Sequence, residues 1–330
     1  MSKESVSRAF FREYIPLIQK GGSSIVIDST GLPNEVNMPL TDWGYHNGGV
    51  AFETRLILAI DKESKLPLYF RHVAGNVGDV STLANTIAEM GKLGVRAMSA
   101  LIDAGYFSQE NLGMLFGAGI SFLIRMPSNR SAYKSIVSEC PDIESMRHAV
   151  KYNKRGLFVK ERRIEIYDRE AFAYLVLDPE MRGREIAKAI AEAPGDDSEY
   201  DAGDFSICGK MVLLSSTKIA TQDVVPLYYT RQIAERMFGI AKSDLGILPL
   251  RTHSEPNFKG FMLLVFIALV FSCHLKERLG KKFSVEMAVT AMRNMKAKVF
   301  DDAVMPGEPT KLQREIMEAA NVVVPKVCGI

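Results

Sequence analysis

Tyr228-Tyr229-Thr230-Arg231-Gln232-Ile233-Ala234-Glu235-Arg236-Met237-Phe238-Gly239-Ile240-Ala241-Lys242 is the stretch from which the rest of the chain is read. On a helix advancing about 100° per residue, Tyr228, Arg231, Glu235 and Lys242 fall within an arc of roughly 60°. Ile233, Met237, Ile240 and Ala241 point the other way. One helix would then bury an apolar back and present a phenol, two cations and a carboxylate on a narrow front. Such a front suits a polyanion held against a metal-binding acid. The plain alternative is a solvated face on which Arg231 and Glu235 form an i, i+4 ion pair worth about 0.2–0.5 kcal/mol.

Two upstream aspartates decide between these readings. Ser23 to Asp28 (SSIVID) and Ala97 to Asp103 (AMSALID) are apolar runs that each end in an acid, the pattern of a strand running into a loop. Phe52 to Ile60 and Pro67 to Val73 read as a hairpin turning through Asp61-Lys62-Glu63-Ser64-Lys65. Asp79 and Ser81 are each placed to cap a helix running to about Lys92, Ser108 starts a helix through about Phe116, and Ile120 to Arg125 is a further strand. Three strands followed by alternating helix and strand give a mixed sheet with helices packed on it, the order of an RNase H-like sheet. If the strands ending at Asp28 and Asp103 are neighbours, their carboxylates meet near one edge and Glu235 can join them. Each Asp alone is as readily a turn former or helix cap. Together the three would repel one another without cations, and Mg²⁺, a hard ion taking oxygen ligands, is the natural partner.

Leu157 to Tyr167 and Ala171 to Leu177 look like strands, Met181 to Glu192 a helix, and Pro194-Gly195-Asp196-Asp197 a loop. Basic residues dominate from Arg125 to Arg163 and acidic ones from Glu165 to Asp204. Residues 131–209 thus read as a β-rich insertion between the second Asp and the Glu. Lys210 to Ser215 returns as a core strand, and Phe258 to Leu279, Val285 to Lys298 and Thr310 to Ala320 look helical.

The motif spacing, Tyr, two residues, Arg, three residues, Glu, six residues, Lys, is matched in full by Tyr228, Arg231, Glu235 and Lys242. With Asp28 in Ile27-Asp28-Ser29-Thr30 and Asp103 in Ile102-Asp103-Ala104-Gly105-Tyr106, the chain resembles the DDE transposases of bacterial insertion sequences that bear a Tyr-Arg-Glu-Lys signature. The resemblance spans about residues 23–276. It implies an RNase H-like α/β catalytic core in two parts, residues 23–130 and 210–280, around the insertion at 131–209, with a helical tail at 281–330. It implies that Asp28, Asp103 and Glu235 are catalytic and hold two Mg²⁺ ions, for which Mn²⁺ can substitute. It implies that Tyr228, Arg231 and Lys242 grip phosphates of double-stranded DNA, at terminal inverted repeats and at the target. The activity implied is cut-and-paste strand cleavage and transfer, by a homodimer in a synaptic complex. Relatives usually carry a helical region ahead of the first catalytic strand. Residues 1–22 read as a remnant of it, with Ser5 to Gln19 its last helix. A truncated or co-opted chain that only binds DNA is therefore the alternative.

Lys151-Tyr152-Asn153-Lys154-Arg155 and Lys160-Glu161-Arg162-Arg163 are further DNA-contact candidates, Lys154 and Arg155 foremost, against the alternative of a solvated strand face. Trp43 could stack a flipped base, but a ring anchoring a loop on the core is the simpler reading. His253 follows the signature and carries no assignment.

A 330-residue chain that is 47% apolar supports a large core, and a net charge of +2 means that any DNA surface is local. The four cysteines, Cys140, Cys208, Cys273 and Cys328, and the five histidines are scattered, which argues against zinc and for reduced thiols. The N-terminus does not read as a signal peptide, and the apolar run Phe261 to Ser272 is shorter than a membrane span, so a cytoplasmic, nucleoid-associated protein with no membrane partner is expected. Asp28-Ser29-Thr30-Gly31 fits a haloacid dehalogenase-like phosphatase loosely but leaves the 228–242 pattern unexplained. An ATP-binding reading of Gly203 to Lys210 fails on glycine spacing and on Met211 where a hydroxyl is needed.

Overall fold

The computed structural model describes residues 3–19, 21–46, 49–192, 202–325 and 327–329. The loop expected at Pro194 to Asp197 lies outside the described residues. The chain opens with helix α1 (Lys3–Ile18), then strands β1 (Ser23–Pro33), β2 (Asp42–His46), β3 (Gly49–Asp61) and β4 (Pro67–Ala74). Alternating units follow: α2 (Leu83–Lys92), β5 (Ala97–Ile102), α3 (Gln109–Gly117), β6 (Ser121–Met126) and α4 (Ser131–Ser138). Then come β7 (Ala149–Tyr152), β8 (Arg155–Ile166), β9 (Arg169–Leu177), α5 (Pro179–Ala191), β10 (Lys210–Ser215), α6 (Thr221–Tyr229) and α7 (Gln232–Gly239). The remainder is α8 (Glu255–Leu279), α9 (Val285–Arg293), β11 (Ala297–Val299), β12 (Ala303–Pro306), α10 (Lys311–Ala319) and β13 (Cys328–Gly329).

Among the described residues ten strands form one mixed sheet in the order β2-β3-β1-β5-β6-β10-β9-β8-β7, with β4 also paired to β3. β1 is antiparallel to β3 and parallel to β5, and β5 is parallel to β6. This is consistent with an RNase H-like core. Ile25, Val26 and Ile27 of β1 and Ala100, Leu101 and Ile102 of β5 are buried, because central parallel strands are covered on both faces and so read as unbroken apolar runs. Residues 131–209 do not stand apart from that sheet. β9 pairs with β10 and β8 with β9, so its strands prolong the core.

Several local expectations change. β1 runs on through Asp28 to Pro33, so Asp28 lies inside a strand rather than at its end. Trp43 is on strand β2 rather than in a loop, 64% exposed, with its ring 5.5 Å from that of Phe52. Neither Asp79 nor Ser81 caps α2; the cap position is Thr82, and the Asp79 carboxylate is taken up elsewhere. The segment after residue 280 is not wholly helical: β11, β12 and β13 form a small antiparallel sheet, and Leu279, Phe283, Ala288, Ile316 and Ala320 make a separate small core.

α8 is the apolar stretch noted above, extended to 25 residues; by length and composition it could cross a membrane. In the fold one side of it covers the sheet. Phe266 meets the rings of Phe11 and Tyr14 from α1 and Phe70 from β4 at 5.3, 5.8 and 5.2 Å. The Tyr14 hydroxyl donates to the Pro67 carbonyl at 2.7 Å, so the polar end of the ring is satisfied inside the cluster. Phe266→Ala is expected to cost about 3–5 kcal/mol of stability, measured by urea unfolding, because it empties the point where three elements meet.

Candidate active site

Ile27 of β1 lies opposite Ile102 of β5 in the parallel register. Asp28 and Asp103 are therefore the next residues on adjacent strands. β5 stops at Ile102, and Asp103 leads with extended backbone into a short turn, Ala104–Tyr106. Both acids thus stand where the parallel pairing of β1 with β5 ends, Asp103 at the carboxyl end of its strand and Asp28 within β1.

The continuous helix expected over 228–242 is interrupted. α6 contains Pro226, which lacks an N–H. The N–H groups of Thr230 and Arg231 then donate to the carbonyls of Leu227 and Tyr228, three residues back, so α6 passes into α7 through a tightened turn. After α7 the chain widens into a π-type turn, Ile240–Asp244, which carries Lys242. The four signature residues still face the strand ends. Tyr228 is buried and donates its hydroxyl to Asp103 Oδ1 at 2.9 Å. Arg231 pairs with Asp28 at 3.1 Å, Asp103 at 3.3 Å and Glu235 at 3.5 Å, and its guanidinium lies 5.5 Å from the Tyr228 ring centre. Lys242 donates to Thr30 Oγ1 at 2.7 Å. Glu235 is the outermost acid, with its side chain 56% exposed.

Burial pushes the Asp28 carboxyl up to about 7, against the pull of Arg231 and of the Ser29 N–H, which donates to Asp28 Oδ1 at 2.9 Å. Burial, with Asp103 beside it, pushes the Tyr228 phenol up as well. The Lys242 ammonium is lowered by burial, with Glu53 working in the opposite sense. Arg231 is held above its ordinary value despite burial, by Asp103, Tyr228, Asp28 and Glu235.

The three acids fit a hard cation, since all offer oxygen and all converge on one positive group. That group is the Arg231 guanidinium, which stands among them where a cation would. With the arginine among them, no three acidic, histidine or cysteine side chains of the described residues are close enough together to hold a metal ion.

Other candidates are placed differently. Lys154 is exposed at the β7–β8 turn, where Asn153 and Lys154 have φ of 45° and 66°. That hairpin lies beside the site, since Tyr152 stacks on Tyr229 at 5.4 Å with an interplanar angle of 11°. Arg155 is turned to Asp178 at 2.8 Å. Lys160 pairs with Asp142, Arg162 with Glu139 and Arg163 with Glu170, so these cations are tied to acids of their own segment. Pattern reading missed a further set. Glu53, Arg55 and Asp79 form a linked group behind β1, and the signal for it is an arginine inside the apolar strand AFETRLILAI.

The sequence pattern of the transposase DDE domain matches residues 19–271. The chain belongs to the transposase DDE domain family. A comparison with curated proteins finds no match. Among solved structures, a piggyBac transposase synaptic complex with hairpin DNA, determined by cryo-EM, is similar at 9% identity and a TM-score of 0.48 over 91% of this chain. The match covers 52% of that chain, so the present chain spans about half its length.

An acid whose folded value is raised stabilises the fold through its protonated form. That contribution is complete below the unfolded value of about 4 and is lost as pH rises through about 7. In chelator, the stability of the wild-type protein relative to Asp28→Asn should therefore fall between about pH 4 and pH 7, read by urea unfolding at stepped pH. Parallel curves would contradict the environment assigned to Asp28.

Proposed function

We propose that this chain is a DNA transposase of the bacterial insertion-sequence group with the Tyr-Arg-Glu-Lys signature, cleaving and joining DNA at the element's ends. The observation that carries this reading is the gathering of Asp28, Asp103 and Glu235 around one cationic group at the strand ends, with Tyr228 and Lys242 beside it. On this reading residues 131–209 are the family's β-rich insertion. The substrate is double-stranded DNA, met by two copies of the chain in the bacterial cytoplasm.

Asp28, Asp103 and Glu235 are the residues that would hold two divalent ions, Mg²⁺ or Mn²⁺. When bound, such ions supply charge neutralisation at a reacting phosphorus. The chemistry is in-line displacement: water attacks a phosphodiester and releases a 3′ hydroxyl, which can then attack a second phosphodiester. The protein's own part is positioning. Tyr228 fixes the Asp103 carboxylate by its hydroxyl. Arg231 is the residue that changes partners. Its planar fork, now shared among carboxylates, suits two phosphate oxygens equally well, and moving to phosphate would free the acids. Lys242 acts as a point charge on the flanking backbone, and Lys154 extends the same strip.

Arg231 held by all three acids is also what a chain that only binds DNA would show, so the test must separate grip from chemistry. Glu235→Gln should abolish Mg²⁺-dependent cleavage of a duplex carrying the element's terminal repeats while leaving its affinity for that duplex nearly unchanged. Undiminished cleavage by this variant would sink the reading. Lys242→Ala should weaken binding at every sequence and lower the slope of log affinity against log salt by about one.

A further inference from the structure

β3 changes partner along its length. Residues 49–53 pair with β2, and residues 54–60 pair with β4. Glu53 sits at the seam and is 2% exposed. Room for its side chain is made by glycines: a Cβ at Gly31 or at Gly44 would collide with its carboxylate, and one at Gly75 with its backbone carbonyl. From Glu53 a path of hydrogen bonds leads to the site. Glu53 Oε1 accepts from Arg55 Nη2 at 3.3 Å, and Arg55 Nη1 donates to Asp79 Oδ1 at 2.9 Å. Ser29 Oγ donates to the same Asp79 oxygen at 2.5 Å, and the Ser29 N–H holds Asp28 Oδ1. Gly31, against which the Glu53 carboxylate rests, adjoins Thr30, the acceptor for Lys242.

A buried ion-pair group of this kind is a poor way to stabilise a fold, because desolvating the charges costs about as much as their attraction returns. Well-packed aliphatic side chains would serve β3 better than a carboxylate needing flanking glycines. What the arrangement does supply is a fixed orientation at β1, where Asp28 and Thr30 leave on the face toward Arg231 and Lys242 while Ser29 and Gly31 are held from behind.

We propose that Glu53, Arg55 and Asp79 form a positioning unit for the reaction: the chain Glu53–Arg55–Asp79–Ser29 aims the Asp28 carboxylate and seats the β1 backbone under Lys242. The inference rests on the function proposed above. None of the three residues touches substrate; they act through Ser29 and Asp28. Partners that hold a ligating carboxylate from behind are worth about 10- to 100-fold in metal affinity or activity when removed.

The test uses the full chain, with Mn²⁺ alone as the probe in calorimetry, and the cleavage rate on terminal-repeat DNA as the second readout. Glu53→Gln keeps the shape and removes the charge. Gly31→Ala keeps the charge and displaces it. Ser29→Ala cuts the last link without breaking an ion pair, and serves if the other two fail to fold. Each is expected to weaken Mn²⁺ binding about 10-fold or more and to lower kcat with KM for DNA unchanged. Combining Glu53→Gln with Ser29→Ala should cost less than the sum of the two single changes, because both break the same path. Folded variants with wild-type Mn²⁺ affinity and kcat, even with a lowered Tm, would overturn the inference and leave a structural ion pair. Asp28→Asn separates this from failure of the functional reading. If that variant binds Mn²⁺ and cleaves normally, the active-site assignment itself falls, and the inference with it.

Discussion

One guanidinium ties three segments of the chain together. Arg231, at the start of α7, bridges Asp28 on β1, Asp103 after β5 and Glu235 one turn along its own helix. Without a positive group the three carboxylates would repel one another in a half-buried crevice, and the lowest-cost response would be to protonate one or to swing α7 away. The arginine therefore has a structural duty apart from the function proposed for it. It holds the helix against the strands that carry the two aspartates. The register that places Ile27 opposite Ile102 makes this possible, because a slip of one residue would turn one aspartate to the far side of the sheet.

Asp28 and Asp103 were legible in the sequence because buried parallel strands announce themselves as apolar runs, and an acid breaking such a run is conspicuous. The spacing from Tyr228 to Lys242 was legible for a similar reason, although its helical regularity was not real. The turn before α7 is tightened and the π-type turn after it is widened, so the residues share a face through compensating irregularities rather than through one uninterrupted period. The strand holding Asp28 was cut short because Ser29, Thr30 and Gly31 look like a loop. They are strand because β3 pairs with them across the whole stretch.

What stayed hidden depends on tertiary burial. Asp79 has the sequence context of a helix cap, and only the fold shows Arg55 and Ser29 reaching it. β11 and β12 are three and four residues long, too short for a periodic signal. The alternation of basic and acidic stretches between Arg125 and Asp204 suggested separate surfaces. The fold instead folds acids back onto bases, as in Arg155–Asp178, Lys160–Asp142 and Arg182–Glu144. Many of its charges are thereby paired within the segment rather than set apart on two surfaces. Lys154 projects from the tip of the β7–β8 turn.

The seam in β3 has one more consequence, for how copies of this protein behave when crowded. A wide sheet ordinarily offers neighbours a long unpaired border that can template intermolecular pairing. Here the border beyond β3 is divided between β2, five residues long, and β4, eight residues long, placed end to end. Among the described residues that border is two short strands rather than one long ribbon of backbone groups. The same break in pairing that makes room for a buried carboxylate thus also guards this border against edge-to-edge aggregation.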